Sequence, residues 1–89
     1  MRALFVHLGK DTVIRSSNII AIINWETVES SENNQLYLKK AQMKELVRDI
    51  AGGKPQSLVI TPSAVYVSSV SSTTLKKRAE NPSYQIWET

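Results

Sequence analysis

Nucleophilic or acid–base catalysis needs a nucleophile, a base and an orienting group brought together, and this chain offers few candidates for those roles. Its one histidine, His7, stands in the middle of an alternating apolar segment, where it reads as a strand side chain facing water. Glu26, Glu29 and Glu32 recur every three residues, a spacing that could line one helix face with paired carboxylates. The simpler reading is a solvated helix entrance, its acids favoured by the positive end of the helix dipole. Gly52-Gly53-Lys54 has the look of the end of a phosphate-binding loop, but the first glycine is missing and Pro55 stands where Ser or Thr would bind magnesium. Cysteine is absent, which removes disulfides and thiolate metal sites together. The expectation is therefore a chain that is not an enzyme, with no cofactor, no metal and no small-molecule substrate.

The basic residues offer a different chemistry. Lys54 follows two glycines at an expected turn tip, where the backbone can approach a phosphate closely and the side chain can reach it. Arg15 precedes Ser16, Ser17 and Asn18, all able to hydrogen-bond phosphate oxygens. Each of these also fits a solvated loop charge. Lys39, Lys40 and Lys44 fit a solvated helix face, and the triplet Lys76-Lys77-Arg78 fits the negative C-terminal end of a short helix. The charge is uneven along the chain: residues 1–38 hold three bases against four acids, and residues 39–89 hold eight against four, within a net charge of +3. A basic half is the electrostatic footprint of nucleic-acid binding, although solubility alone can also produce one.

The elements that must position these residues follow from pattern. Arg2 to Leu8 alternates, with Leu4, Val6 and Leu8 on one face, and predicts a strand. Gly9-Lys10-Asp11 supplies a tight turn, and Thr12 to Arg15 the returning strand. Ile19 to Asn24 is β-branched and almost wholly apolar, as expected at the centre of a sheet covered on both sides. Ser30 or Ser31 is placed to cap a helix whose first turn contains Glu32. Leu36, Leu38, Met43, Leu46, Val47 and Ile50 then allow two readings: one helix running to Ile50, or a helix ending near Gln42 with a strand from Glu45 to Ile50. Ser57 to Thr61 and Ala64 to Ser68 predict a hairpin with Pro62 in its turn. Ser71 to Thr74 supplies hydroxyls to cap a last short helix that Asn81-Pro82 ends.

At 89 residues, with 42% hydrophobic and 21% charged residues, the chain allows one small core and no second domain. We expect a single domain over residues 1–80 and a C-terminal tail over 81–89. With no staple available, self-association is the open route to stability. The apolar run at the N-terminus is too short for a signal peptide, and no stretch approaches the roughly 20 residues of a membrane span. The expected compartment is the cytoplasm, without a membrane partner.

The stretch Gly53-Lys54-Pro55-Gln56-Ser57-Leu58-Val59-Ile60-Thr61, then Val65-Tyr66, then Ser71-Ser72-Thr73-Thr74-Leu75-Lys76-Lys77-Arg78-Ala79 resembles the RemA/RemB family of biofilm-matrix regulators. Val6-His7-Leu8-Gly9 and Ile19-Ile20-Ala21-Ile22 fit the same pattern, so the resemblance covers about Leu4 to Glu80. It implies an α+β fold like that of LytTR-type DNA-binding domains: a small antiparallel sheet of five or six short strands, one central helix and a short C-terminal helix. It favours Glu45 to Ile50 as a strand. It also implies a homo-oligomeric ring whose rim contacts double-stranded DNA. The family's DNA-contacting arginines fall on Asn18, Gly53 and Lys54 of this sequence, of which Lys54 alone is charged; Arg15, three residues from Asn18, could compensate. The expected DNA-binding residues are Arg15, Asn18, Gly53 and Lys54. The expected function is transcriptional regulation through phosphate contacts, with an oligomeric protein-interaction scaffold as the alternative. RNA binding ranks behind both, since no aromatic stacking pattern is present.

Overall fold

The computed structural model describes residues 2–80 and 86–88. In chain order these form β1 (Arg2–Gly9), β2 (Thr12–Arg15), a 3-10 turn at Ser16–Asn18, β3 (Ala21–Asn24), α1 (Trp25–Ser30), α2 (Glu32–Met43), β4 (Val47–Asp49), β5 (Ser57–Ile60), β6 (Val65–Ser68), α3 (Ser72–Glu80) and β7 (Ile86–Glu88). The fold is α+β, as expected. The expected central helix and short C-terminal helix are α2 and α3, with the short α1 in addition, and among the described residues the strands form two small sheets, ordered β3-β5-β6-β4 and β2-β1-β7, in place of the single one expected.

The four-stranded sheet is the middle layer, because the side chains of β5 and β6 alternate between two cores. Leu58, Val65 and Val67 face one way and pack with Val28 and Ala41 from α1 and α2. Val59 and Tyr66 face the other way and pack with Val6 and Leu8 of β1 and Leu75 of α3. Leu8, Leu58 and Leu75 are fully buried, each contributing roughly 1.5–3 kcal/mol through removal of apolar surface from water. The alternation of β1 is thus read correctly by the sequence pattern. The expected hairpin is formed by β5 and β6 with Leu58 opposite Val67 and Ile60 opposite Val65.

The apolar run Ile19 to Asn24 proves misleading. Among the described residues β3 is the edge of its sheet, not the centre, and pairs only with β5; Ile20 is 65% exposed. The helical region also divides differently. Asn24 caps α1 by accepting from the Glu26 N–H at 2.8 Å. Ser31, extended between the two helices, caps α2 by accepting from the Asn34 N–H at 3.2 Å. The side-chain amide of Gln35 donates back to the Glu29 carbonyl and ties the second helix to the first.

α2 stops at Met43 through a Schellman turn, in which the Leu46 N–H reaches the Ala41 carbonyl and the Glu45 N–H reaches that of Gln42. Glu45 takes the left-handed conformation (φ 58°) that such turns usually give to glycine. The reading of one helix to Ile50 is therefore wrong, and the strand that replaces it is shorter than Glu45 to Ile50. β4 runs parallel to β6, with Val47 opposite Val65, so the sheet is not wholly antiparallel. Part of the expected tail, residues 81–85 and 89, lies outside the described residues; Ile86–Glu88 pairs antiparallel with the start of β1.

Two serines join the layers. Ser68 Oγ donates to the Leu8 carbonyl at 2.5 Å and accepts from the Val70 N–H at 3.0 Å. Ser57 Oγ donates to the Val70 carbonyl at 2.8 Å. These hydroxyls fix the Gly9 end of β1 beside the Ser57 and Ser68 end of the middle sheet.

Candidate nucleic-acid interface

The segment from Ala51 to Gln56 connects β4 to β5 at the Ser57 end of the sheet, where the Gln56 N–H donates to the Ser68 carbonyl at 2.8 Å. Gly52 (φ 62°) and Gly53 (φ 85°) both lie in the left-handed region, and nothing stands within 4 Å of where a Cβ would be on either. Exposed backbone and open space are what close approach of a phosphate requires. Lys54 is exposed, with its N–H held by the Ala51 carbonyl at 3.2 Å. Asp49, the nearest acid in sequence, is engaged by the Ala51 N–H at 3.0 Å.

The hairpin turn of β1 and β2 reaches the same end of the molecule, since Gly9 lies against Val70 and Ser69. Lys10 stands at its tip, exposed and with positive φ. In the sequence, Gly9-Lys10-Asp11 reads as turn chemistry, with no sign of a binding role for the lysine. The signal that marks it is a lysine beside glycine in a left-handed turn, which it has in common with Lys54.

Arg15 and Asn18 lie at the other end. Arg15 pairs across the hairpin with Phe5, and its guanidinium sits 5.8 Å from the centre of the Phe5 ring, a cation–π arrangement that orients the charge while leaving it exposed. Asn18 is exposed and closes the 3-10 turn; two residues later the Ile20 N–H donates to Ile60 at the far end of β5. The three residue steps from Ser57 to Ile60 alone put roughly 10 Å between the two ends. The four expected residues thus form two exposed pairs, Gly53 with Lys54 and Arg15 with Asn18, and not one patch on a single subunit.

The remaining charges divide by role. Lys76 and Lys77 are exposed, whereas Arg78 is half-buried and donates to the His7 carbonyl at 2.7 Å. Glu26 and Glu29 belong to α1 and Glu32 to α2, so the acidic series does not run along one helix. Among the described residues, no group of three His, Cys, Asp or Glu residues could hold a metal ion, and no helix is long and apolar enough to cross a membrane.

Comparison with known proteins finds a match over residues 5–79 to the sequence model of a family described as RemA-like, extracellular matrix regulatory protein A-like. The chain is 36% identical over 77 residues to extracellular matrix regulatory protein B of Bacillus subtilis (strain 168), an alignment covering 86% of this chain and 91% of that protein.

Proposed function

The chain belongs to the RemA-like family of extracellular matrix regulatory proteins, and from that premise we propose that it regulates transcription in the cytoplasm by binding duplex DNA as a homo-oligomer. The observation that carries this reading is the exposed Gly52-Gly53-Lys54 turn, with open space at both glycines and a lysine whose side chain can reach a phosphate. Lys10 reinforces the charge at that end, and Arg15 with Asn18 supplies a second contact at the other.

Such contacts read phosphates, not bases, so binding is tolerant of sequence and sensitive to salt. A few contacts per subunit give weak affinity. Repetition around an assembly makes later contacts intramolecular and raises the total by orders of magnitude. In this reading the protein is a binder without catalytic chemistry or cofactor. The scaffold alternative draws support from α2, which leaves Leu36, Tyr37 and Met43 exposed.

The test is a titration of labelled duplex DNA with the full chain and with Lys54→Ala. Binding by the parent and a loss on the order of tenfold in the variant support the reading. Failure of the intact assembly to bind any duplex at low salt transfers the function to the scaffold.

A further inference from the structure

The Thr61 end of the middle sheet holds a cavity that the proposed DNA contacts do not use. It is half open, about 190 Å³ in volume, and lies where the second half of α2, the start of β4 and the turn between β5 and β6 meet. The Val65 N–H donates to the Leu46 carbonyl at 2.9 Å and ties two of those elements together. The Gly53 and Lys54 turn stands at the opposite, Ser57 end, and Arg15 belongs to the hairpin on the other face of the sheet. The cavity wall is apolar and satisfied. Ala41, Leu46, Pro62, Ala64 and Val65 supply it, and the buried hydroxyl of Thr61 already donates to the Ala64 carbonyl at 2.7 Å and accepts from the Ala64 N–H at 3.1 Å. The Ala41 carbonyl is likewise taken, by the Leu46 N–H at 3.0 Å. Dry apolar cavities of about 150 Å³ take a benzene-sized guest.

The mouth has the opposite character. Lys40 and Lys44 line it one helical turn apart with Tyr37 beside them, all three exposed, and side chains four positions apart on a helix lie roughly 5–6 Å from each other at Cβ. Among the described residues no acid, neighbouring Glu45 included, pairs with either lysine. The acids of α1 are at the far end, where the Trp25 N–H donates to the Gln56 carbonyl at 3.1 Å. Lysines in the last turn of a helix also complement its dipole, but that role does not explain why they frame an apolar cavity. Leu36 and Met43, the most exposed apolar side chains of α2, do not line it. Its rim is therefore charged, which favours a small guest over the apolar face of a partner protein.

We propose that this cavity binds a small organic anion, a carboxylate carried on an aromatic ring or branched aliphatic group of about six carbons, with the apolar part against Ala41, Leu46, Ala64 and Val65 and the carboxylate between Lys40 and Lys44. An apolar body with one convergent charge is what fixes a ligand's orientation in such sites. The site takes no residue from the Lys54 turn, so it stands whether or not the chain binds DNA.

Ligand-observed NMR titration of the full chain with phenylacetate, phenylacetamide, acetate and inorganic phosphate separates the two halves of the claim. Phenylacetate is expected to bind, the neutral amide about fivefold more weakly, and acetate and phosphate, which lack the apolar part, at least about tenfold more weakly. Lys40→Gln combined with Lys44→Gln is expected to weaken phenylacetate about fivefold and leave the amide unchanged, at an unaltered melting temperature since both side chains are exposed. Ala64→Leu, which fills the cavity, is expected to abolish binding of both; should that variant fail to fold, the lysine variant decides alone. Absence of phenylacetate binding at millimolar concentration overturns the proposal. So does equal binding of acetate or phosphate, which would mark an adventitious ion only, and so does phenylacetate affinity that survives loss of both lysines.

Discussion

Arg78 donates from its guanidinium to the backbone carbonyl of His7 at 2.7 Å, joining α3 to the centre of β1 across 71 positions of sequence. The bond gives one member of the basic triplet a structural task and leaves Lys76 and Lys77 in solvent. Charged donors make stronger bonds to carbonyls than neutral ones, and a half-buried carbonyl that loses its donor has little water to replace it. Arg78→Ala is expected to lower stability by about 1.5–3 kcal/mol, whereas Lys76→Ala and Lys77→Ala change it by less than about 0.5 kcal/mol. Urea unfolding midpoints of the three variants check the ranking; equal midpoints would remove the structural role.

Ser68→Ala is expected to cost about 1–3 kcal/mol, because it leaves the Leu8 carbonyl and the Val70 N–H without their shared partner. Exchange of the Val70 amide with solvent deuterium should accelerate in the same variant. An unchanged midpoint together with unchanged exchange contradicts the assignment of Ser68 as the joint between the layers.

Glu45→Gly is expected to stabilise the protein by roughly 0.5–1 kcal/mol, since relief of the left-handed penalty at φ 58° outweighs the added freedom of the unfolded chain. Glu45 is exposed and its carbonyl, not its side chain, receives Arg48, so the substitution removes no contact. A lower melting temperature would show that the side chain acts in some other way.

These three residues also mark the limits of what the sequence made legible. Elements with local signals were readable: the alternation of Val6 and Leu8, the Ser31 cap, the turn around Pro62. The end of α2 was not, because its Schellman turn is built on a glutamate and leaves no glycine to mark it. The edge position of β3 is not legible, because an apolar run looks the same whether buried by its own chain or held exposed on an edge, as Ile20 is. Arg15, Asn18, Gly53 and Lys54 stand out as candidates one by one in the sequence, but their separation into two ends depends on strand pairing, a non-local property. The roles of Arg78 and Ser68 were invisible for the same reason, their partners lying 71 and 60 positions away.

Gly53→Ala isolates the turn from its charge. The φ of 85° is strained for an alanine, so stability should fall by about 1 kcal/mol, and DNA affinity should fall with it as the backbone shifts away from the phosphate. Lys54→Ala should weaken DNA binding without moving the unfolding midpoint. If Gly53→Ala loses stability but binds DNA as the parent does, the turn backbone makes no phosphate contact.

The central claim, phosphate contact through the two exposed basic pairs, is tested most directly by the salt dependence of duplex binding, measured by fluorescence anisotropy on the intact assembly between about 50 and 200 mM salt. The account predicts a steep linear fall of log affinity with log salt, a slope that flattens by about 0.9 for each contact removed, and therefore a shallower slope for the Arg15→Ala, Lys54→Ala double variant at unchanged assembly mass. Absence of duplex binding at the lower salt, or a double variant with the parent's affinity and slope, would contradict it.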